Sequence, residues 1–333
     1  MKAGSTLRGD RPSSGNGHEG VAPVKGQSET MEPIEIESTN GGPVAFVGDA
    51  GDIVGGDGIK IRRWRAEDGK EVGQPIDAES RVLSIVVSRD GKWIVVGMES
   101  GQVVVWDAES HEKVSEFEEH DYAVWEVDVS PDATRITSGS ADGTLYVWSR
   151  STGGRLLDPL EHDYGVAAVK FSPDGQFIAT ATWDRESVRI YDSRDGHLLF
   201  DSPIKVGSPC NQSLAWVSDS KQLFALSLGG KVHCLDVTNG RIFSAWTIHD
   251  NNPNCISLAS NGAFIATLAS SSVTFWDTAT HKQIGSLLHH LSGVWYMAIS
   301  ANDDLVVGGG GKIALRKLPD ILPSSYFDDV SVF

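Results

Sequence analysis

Between Glu119 and Ser149 apolar and β-branched residues come in short runs broken by turn residues. Val124, Val127 and Val129 predict a first strand, and Ser130-Pro131-Asp132-Ala133 predicts a turn. Arg135 to Ser140 predicts a second strand, Ala141-Asp142-Gly143 a tighter turn, and Thr144 to Trp148 a third strand. Gly154 to Leu160 supplies a fourth, after which Glu161-His162-Asp163-Tyr164-Gly165 restarts the pattern. The unit therefore repeats after about forty residues, and each copy holds only short strands.

Sliding this unit along the chain aligns the ends of the third strands at Trp64, Trp106, Trp148, Tyr191, Leu235, Trp276 and Arg316, with gaps of 42, 42, 43, 44, 41 and 40 residues. Seven copies at that period, several ending in Trp-Asp, resemble the WD-repeat β-propeller family. Glu71-Val72-Gly73-Gln74-Pro75-Ile76, Asp158-Pro159-Leu160-Glu161-His162-Asp163 and Ser172-Pro173-Asp174-Gly175 look like repeats of its fungal members. The resemblance implies an all-β fold, a seven-bladed closed β-propeller of four-stranded antiparallel blades, over residues 32–318. Residues 1–31, rich in Gly, Ser and Pro, are expected to be a disordered N-terminal tail, and 319–333 a C-terminal tail. The last repeat has only three strands of its own. In the resembled family the other terminus supplies the missing one, which points to residues 33–38; Tyr326 to Phe333 is the rival donor.

The resemblance also implies a structural hydrogen-bond network within a blade: a His before the first strand, a Ser or Thr in the second, an Asp in the next turn and the Trp of the third. His120, Ser138, Asp142 and Trp148 match all four positions, and His162, Thr180, Asp184 and Tyr191 form a variant set. His249, Thr267 and Trp276 keep part of it. A buried indole N–H and a buried imidazole each need a partner, which explains the residue types. Because His precedes Ser or Thr by eighteen residues three times over, the sets read as structure rather than as a Ser-His-Asp triad, which an enzyme needs once.

Composition narrows the function classes. The net charge of −17 argues against nucleic acid or an anionic membrane as partner and favours a basic one. Three cysteines, Cys210, Cys234 and Cys255, without a C-x-x-C pair suggest neither a disulfide framework nor a zinc site. No secretory leader or apolar membrane-length run is recognised, so a cytoplasmic or nuclear protein is expected. Gly308 to Lys312 departs from a phosphate loop, since a strand follows it instead of a helix. Asp49, Asp52 and Asp57 are too loosely spaced for a calcium loop. His289-His290 stands where the family His belongs. No metal or cofactor is expected.

Family partners dock on the ring face made by the loops that precede first strands and join second to third strands. By alignment that face carries Arg81, Leu83 and Glu99 from the second repeat, Ala123 and Trp125 from the third, Trp183 from the fourth, Asn252 and Asn254 from the sixth, and Trp295 from the seventh. Trp183 stands where the third repeat has Ala141, as an exposed anchor or as packing on the next blade. Trp125 and Trp295 fall on inner strands, where core packing competes with ligand contact. Glu119, Asp121, Glu161, Asp163, Asp184 and Asp250 add an acidic rim suited to a Lys- or Arg-bearing peptide. The expected function is a non-catalytic protein-interaction scaffold. The alternatives are a hydrolase or lactonase acting in the central channel, whose lining is expected to be mainly Val, Ala, Ser and Trp, and a recognition subunit of a ubiquitin ligase.

Overall fold

The computed structural model describes residues 32–39, 41–48, 51–183, 188–204, 212–227, 229–248, 253–269, 271–290 and 293–327. The tail expected over 1–31 and residues Asp49, Asp184, His249, Asp250 and Asn252 lie outside them, as does the end of the rival closing strand. The described residues form seven four-stranded antiparallel sheets. The innermost strands of the first six blades are Val44–Val47, Val82–Val87, Val124–Val129, Val166–Phe171, Leu214–Trp216 and Pro253–Leu258. Tyr296–Ile299 begins the seventh. Each innermost strand touches those of the blades before and after it, and the seventh touches the first, so the ring is closed. Its last sheet joins Tyr296–Ile299, Asp304–Gly309 and Lys312–Lys317 to Ile34–Glu37. That N-terminal strand pairs antiparallel, with Ile34 opposite Leu315 and Glu37 opposite Lys312. Closure through the far end of the chain removes sheet edges that would otherwise be open to pairing.

The sequence pattern follows from position within a blade. Second strands are flanked by blades on both faces and so are buried without alternation. Phe264–Ala269 is buried at every position, and Arg135–Ser140 at every position after its first. Outermost strands face solvent, as Arg241–Thr247 does along most of its length. The core accordingly lies between blades: Val54 and Ile61 of blade 1 pack with Val82, Ile94, Val96 and Trp106 of blade 2. Each such side chain contributes about 1.5–3 kcal/mol on burial.

Two local features carry the connections. The turn after the third innermost strand is held by Asp132, whose Oδ1 accepts from Ser130 Oγ at 2.5 Å and from the Thr134 N–H at 3.1 Å. Its next residue, Ala133, sits at φ 55, a left-handed conformation that the matching turns of blades 2 and 4 give to Gly91 and Gly175. Beyond Lys317 two short 3-10 turns, Leu318–Asp320 and Ser324–Tyr326, lie against blades 6 and 7. Tyr326 and Phe327 meet Phe264 edge-on, and the Tyr326 hydroxyl donates to Asp277 at 2.7 Å. Among the described residues no helix is long and apolar enough to cross a membrane.

Candidate functional site

One backbone rung recurs at the loop face. The N–H of Glu99 donates to the Arg81 carbonyl, that of Ala141 to Ala123, and that of Trp183 to Gly165, at 2.9, 2.9 and 2.8 Å. Arg81, Ala123 and Gly165 thus share the accepting place, and Glu99, Ala141 and Trp183 the donating one, in blades 2, 3 and 4. Directly inside the rung the innermost strand bulges: the register shifts across Leu83, Trp125, Ala167 and Asn254 in blades 2, 3, 4 and 6. A bulge releases its extra residue from the ladder and re-aims the side chain. Leu83 lines a small cavity with Glu126, Lys170 and Gln212, Trp125 turns toward blade 4, and Trp295, one residue before its inner strand, is 57% exposed.

Aromatic residues gather on blades 3 and 4. Trp183 is 42% exposed and meets Trp125 edge-on, with ring centroids 5.0 Å apart. Exposure and packing on the neighbouring blade are therefore both true of Trp183. Gly165 permits the arrangement, since a Cβ there would lie 2.6 Å from the Trp125 ring. Tyr122 and Tyr164 are also exposed on the loops that enter these blades. Their signal was in plain view, as the third residue of two His-Asp-Tyr triplets, yet sequence reasoning did not single them out. Carboxylates surround the group: Glu119, Asp121, Glu161 and Asp163 are all exposed. Arg155 and Arg189 each approach one of them, at 3.0 Å from Glu119 and 4.0 Å from Asp163. Arg81 and Glu99 are exposed and Leu83 is half-buried. Asn252 is not described, and for Asn254 only the backbone is.

Beneath this face the loops are anchored by the His networks. His120 Nδ1 lies 2.9 Å from Asp142, its Nε2 2.8 Å from Ser138 Oγ, and the Trp148 indole N–H donates to the same hydroxyl at 2.9 Å. Burial pushes the Asp142 carboxyl up, but hydrogen bonds from His120 and Thr144 together outweigh it and hold the pKa at about 2. In blade 4, His162 Nε2 takes hydrogen bonds from Thr180 and Tyr191, both at 3.1 Å, while Nδ1 donates to the Leu160 carbonyl. Burial, and secondarily the Arg189 charge, lowers the His162 pKa to about 4. Trp276 donates to Thr267 at 3.0 Å.

The channel differs from the apolar lining expected of it. Glu126, Asp128, Lys170 and Gln212 project into it. Glu126 is 2% exposed; one oxygen accepts from the Val169 N–H at 2.8 Å and the other lies 2.8 Å from Lys170 Nζ. Asp128 accepts from the Phe171 N–H at 2.7 Å, and Ser84 accepts from the Val127 N–H at 3.1 Å. Innermost strands have an unpaired edge, and these side chains satisfy its donors across the seam to the next blade. Burial pushes the Glu126 carboxyl up to about 7 against the pull of Lys170. Asp128 is also raised by burial, whereas the attraction of both carboxylates outweighs burial at Lys170 and raises its pKa. Between this charged waist and the opposite face lies a cavity of about 500 Å³, walled by Phe171, Leu214, Trp216, Met297 and Ile299. Each carboxylate is thus engaged by a backbone N–H, which gives both a structural task. Among the described residues no His, Cys, Asp and Glu group is arranged to hold a metal ion.

The repeat and the fold, though not the details of this face, have counterparts among known proteins. The WD domain, G-beta repeat family model matches residues 71–107, 111–149 and 154–192, consistent with a WD-repeat family. A search of curated proteins finds no match. A chain in a solved structure described as the crystal structure of the mitotic checkpoint complex superimposes with a TM-score of 0.75 at 17% identity. The match covers 91% of this chain and 96% of that one. At that identity the likeness speaks for the fold alone.

Proposed function

We propose that the protein is a non-catalytic scaffold that binds a protein or peptide on its loop face, with a basic segment of the partner seated on blades 3 and 4. The observation that carries this reading is the group of exposed Trp183, Tyr122 and Tyr164 around the half-buried Trp125, bordered by carboxylates. Aromatic side chains bury large area at small entropic cost and are frequent binding anchors. Lysine or arginine would gain from the rim through charge and from the rings through cation–π contact. Trp295, Arg81, Leu83 and Glu99 extend the face around the channel mouth. The structural neighbour belongs to a protein assembly, which agrees with a scaffold. The buried thiols of Cys234 and Cys255 suit a reducing compartment, cytoplasm or nucleus.

The test is quantitative affinity capture from the source cells with wild type, Trp183→Ala and Trp295→Ala, alongside the outer-strand variant Ser244→Ala. Partners lost by Trp183→Ala and kept by Ser244→Ala support the reading. A partner set unchanged by both tryptophan variants contradicts it.

A further inference from the structure

The closing blade departs from the His networks in a specific way. In blades 3, 4 and 6 the fourth residue of the second strand is Ser138, Thr180 or Thr267, whose hydroxyl pairs with a His, an indole N–H or both. In blade 7 that place belongs to Val307, the fourth residue of Asp304–Gly309. The aromatic partner is replaced as well. Arg316 stands opposite Leu305, as Trp148 stands opposite Ile136 and Trp276 opposite Ile265. His290 enters the blade as His162 does, its N–H donating to Ser271 as that of His162 donates to Gly143.

The substitutions strand two nitrogens. His290 Nε2 and Arg316 Nε are buried and have no hydrogen-bond partner among the described residues. Both residues line one cavity of about 40 Å³, together with Val307, Lys312, His289 and Glu35. A space of this size holds a single small species. Charge decides between water and an ion. Water would satisfy the nitrogens but bring no charge to a half-buried guanidinium whose burial outweighs the pull of Glu32 and Glu35, and an under-compensated charge in such a place costs more than an unpaired dipole. Glu35, the carboxylate in the cavity wall, is engaged by Lys312 Nζ at 2.6 Å, and that ammonium also lies 3.7 Å from Glu37. Glu32, whose charge also reaches Arg316, is exposed.

We propose that this cavity binds a small inorganic anion of chloride size, held by the Nε–H of Arg316 and by His290 in the tautomer that carries its proton on Nε2, the reverse of His162, at the place where blades 3, 4 and 6 hold a hydroxyl. The ion fastens the third strand of blade 7 beside Ile34–Glu37, the strand that closes the ring. Its occupancy therefore adds to the stability of closure.

Bromide is the probe. Crystals of the wild-type protein grown in sodium bromide should show an anomalous peak between Arg316 and His290. Replacing chloride by gluconate at constant ionic strength should lower the wild-type unfolding midpoint. Val307→Thr supplies the missing hydroxyl at nearly the same volume, so its midpoint should no longer respond to chloride and its crystals should lack the peak. Absence of the wild-type bromide peak overturns the proposal in favour of water. A Val307→Thr protein that keeps the full chloride response overturns the location of the site.

Discussion

Asp142→Ala isolates the network that anchors the loop face. In the wild type one oxygen of Asp142 accepts from His120 Nδ1 at 2.9 Å and from the Asp121 N–H at 3.0 Å. The other accepts from the N–H and hydroxyl of Thr144, at 2.7 and 2.5 Å. The His120 side chain is 1% exposed, so removing the carboxylate leaves a buried donor that water does not reach. An unsatisfied buried donor costs about 1–3 kcal/mol. Thr144 Oγ1, 3.0 Å from the same ring nitrogen, can take over part of the bond, which places the expected loss near 2 kcal/mol. The assay is urea unfolding at pH 7, with Asp236→Ala as control, since Asp236 caps an exposed turn through Thr238 and Asn239. The sign with pH is also fixed. The Asp142 pKa is lowered in the folded state, so its contribution is complete above the ordinary Asp value of about 3.8 and disappears as pH falls through about 2. A midpoint equal to wild type at pH 7, or a loss no larger than that of the control, would refute the reasoning.

Other perturbations test neighbouring parts of the account. Ala133→Gly relieves the left-handed backbone at φ 55 and should stabilise the protein by about 0.5–1 kcal/mol in the same assay. His162 has a lowered pKa, so its share of stability is present above about pH 6.5 and is lost as pH falls through 4. His162→Gln should flatten the wild-type decline across that window, measured by midpoints at pH 4 and 7. Glu126 behaves oppositely. Its raised pKa makes the protonated form the favoured one, so that contribution is present below about pH 4.5 and fades as pH rises through 7, and Glu126→Gln should remove the slope. Gly165→Ala pushes on the Trp125 ring without straining its own backbone. It should weaken partner binding while shifting the unfolding midpoint by less than about 1 kcal/mol.

Strand order and blade number were legible because every repeat restates them, and the blade 3 network because three repeats restate part of it: Ser138, Thr180 and Thr267 sit at one register in three sheets. The channel charges were not. Lys170 aligns with Asp128 and Glu126 with Ala168, so the repeat comparison averages away the feature that differs. Their contacts also cross a seam between residues about one repeat apart, as with Glu126 and Val169. Tyr122 and Tyr164 were missed for the opposite reason, since their repetition reads as ordinary loop composition until their exposure is known. Trp125 and Trp183 each stood out alone, but their contact depends on the small residue Gly165 between them. The packing of Tyr326 and Phe327 on Phe264 spans about sixty residues of chain and leaves no periodic trace.

The central claim is that the loop face of blades 3 and 4 meets the partner. A photo-crosslinking amino acid placed at position 183, and in a second protein at position 244 on the outer strand, measures this in cells. Position 183 should give protein adducts that a Lys- or Arg-rich competitor peptide suppresses, and position 244 few. Adducts from 244 with none from 183 would contradict it.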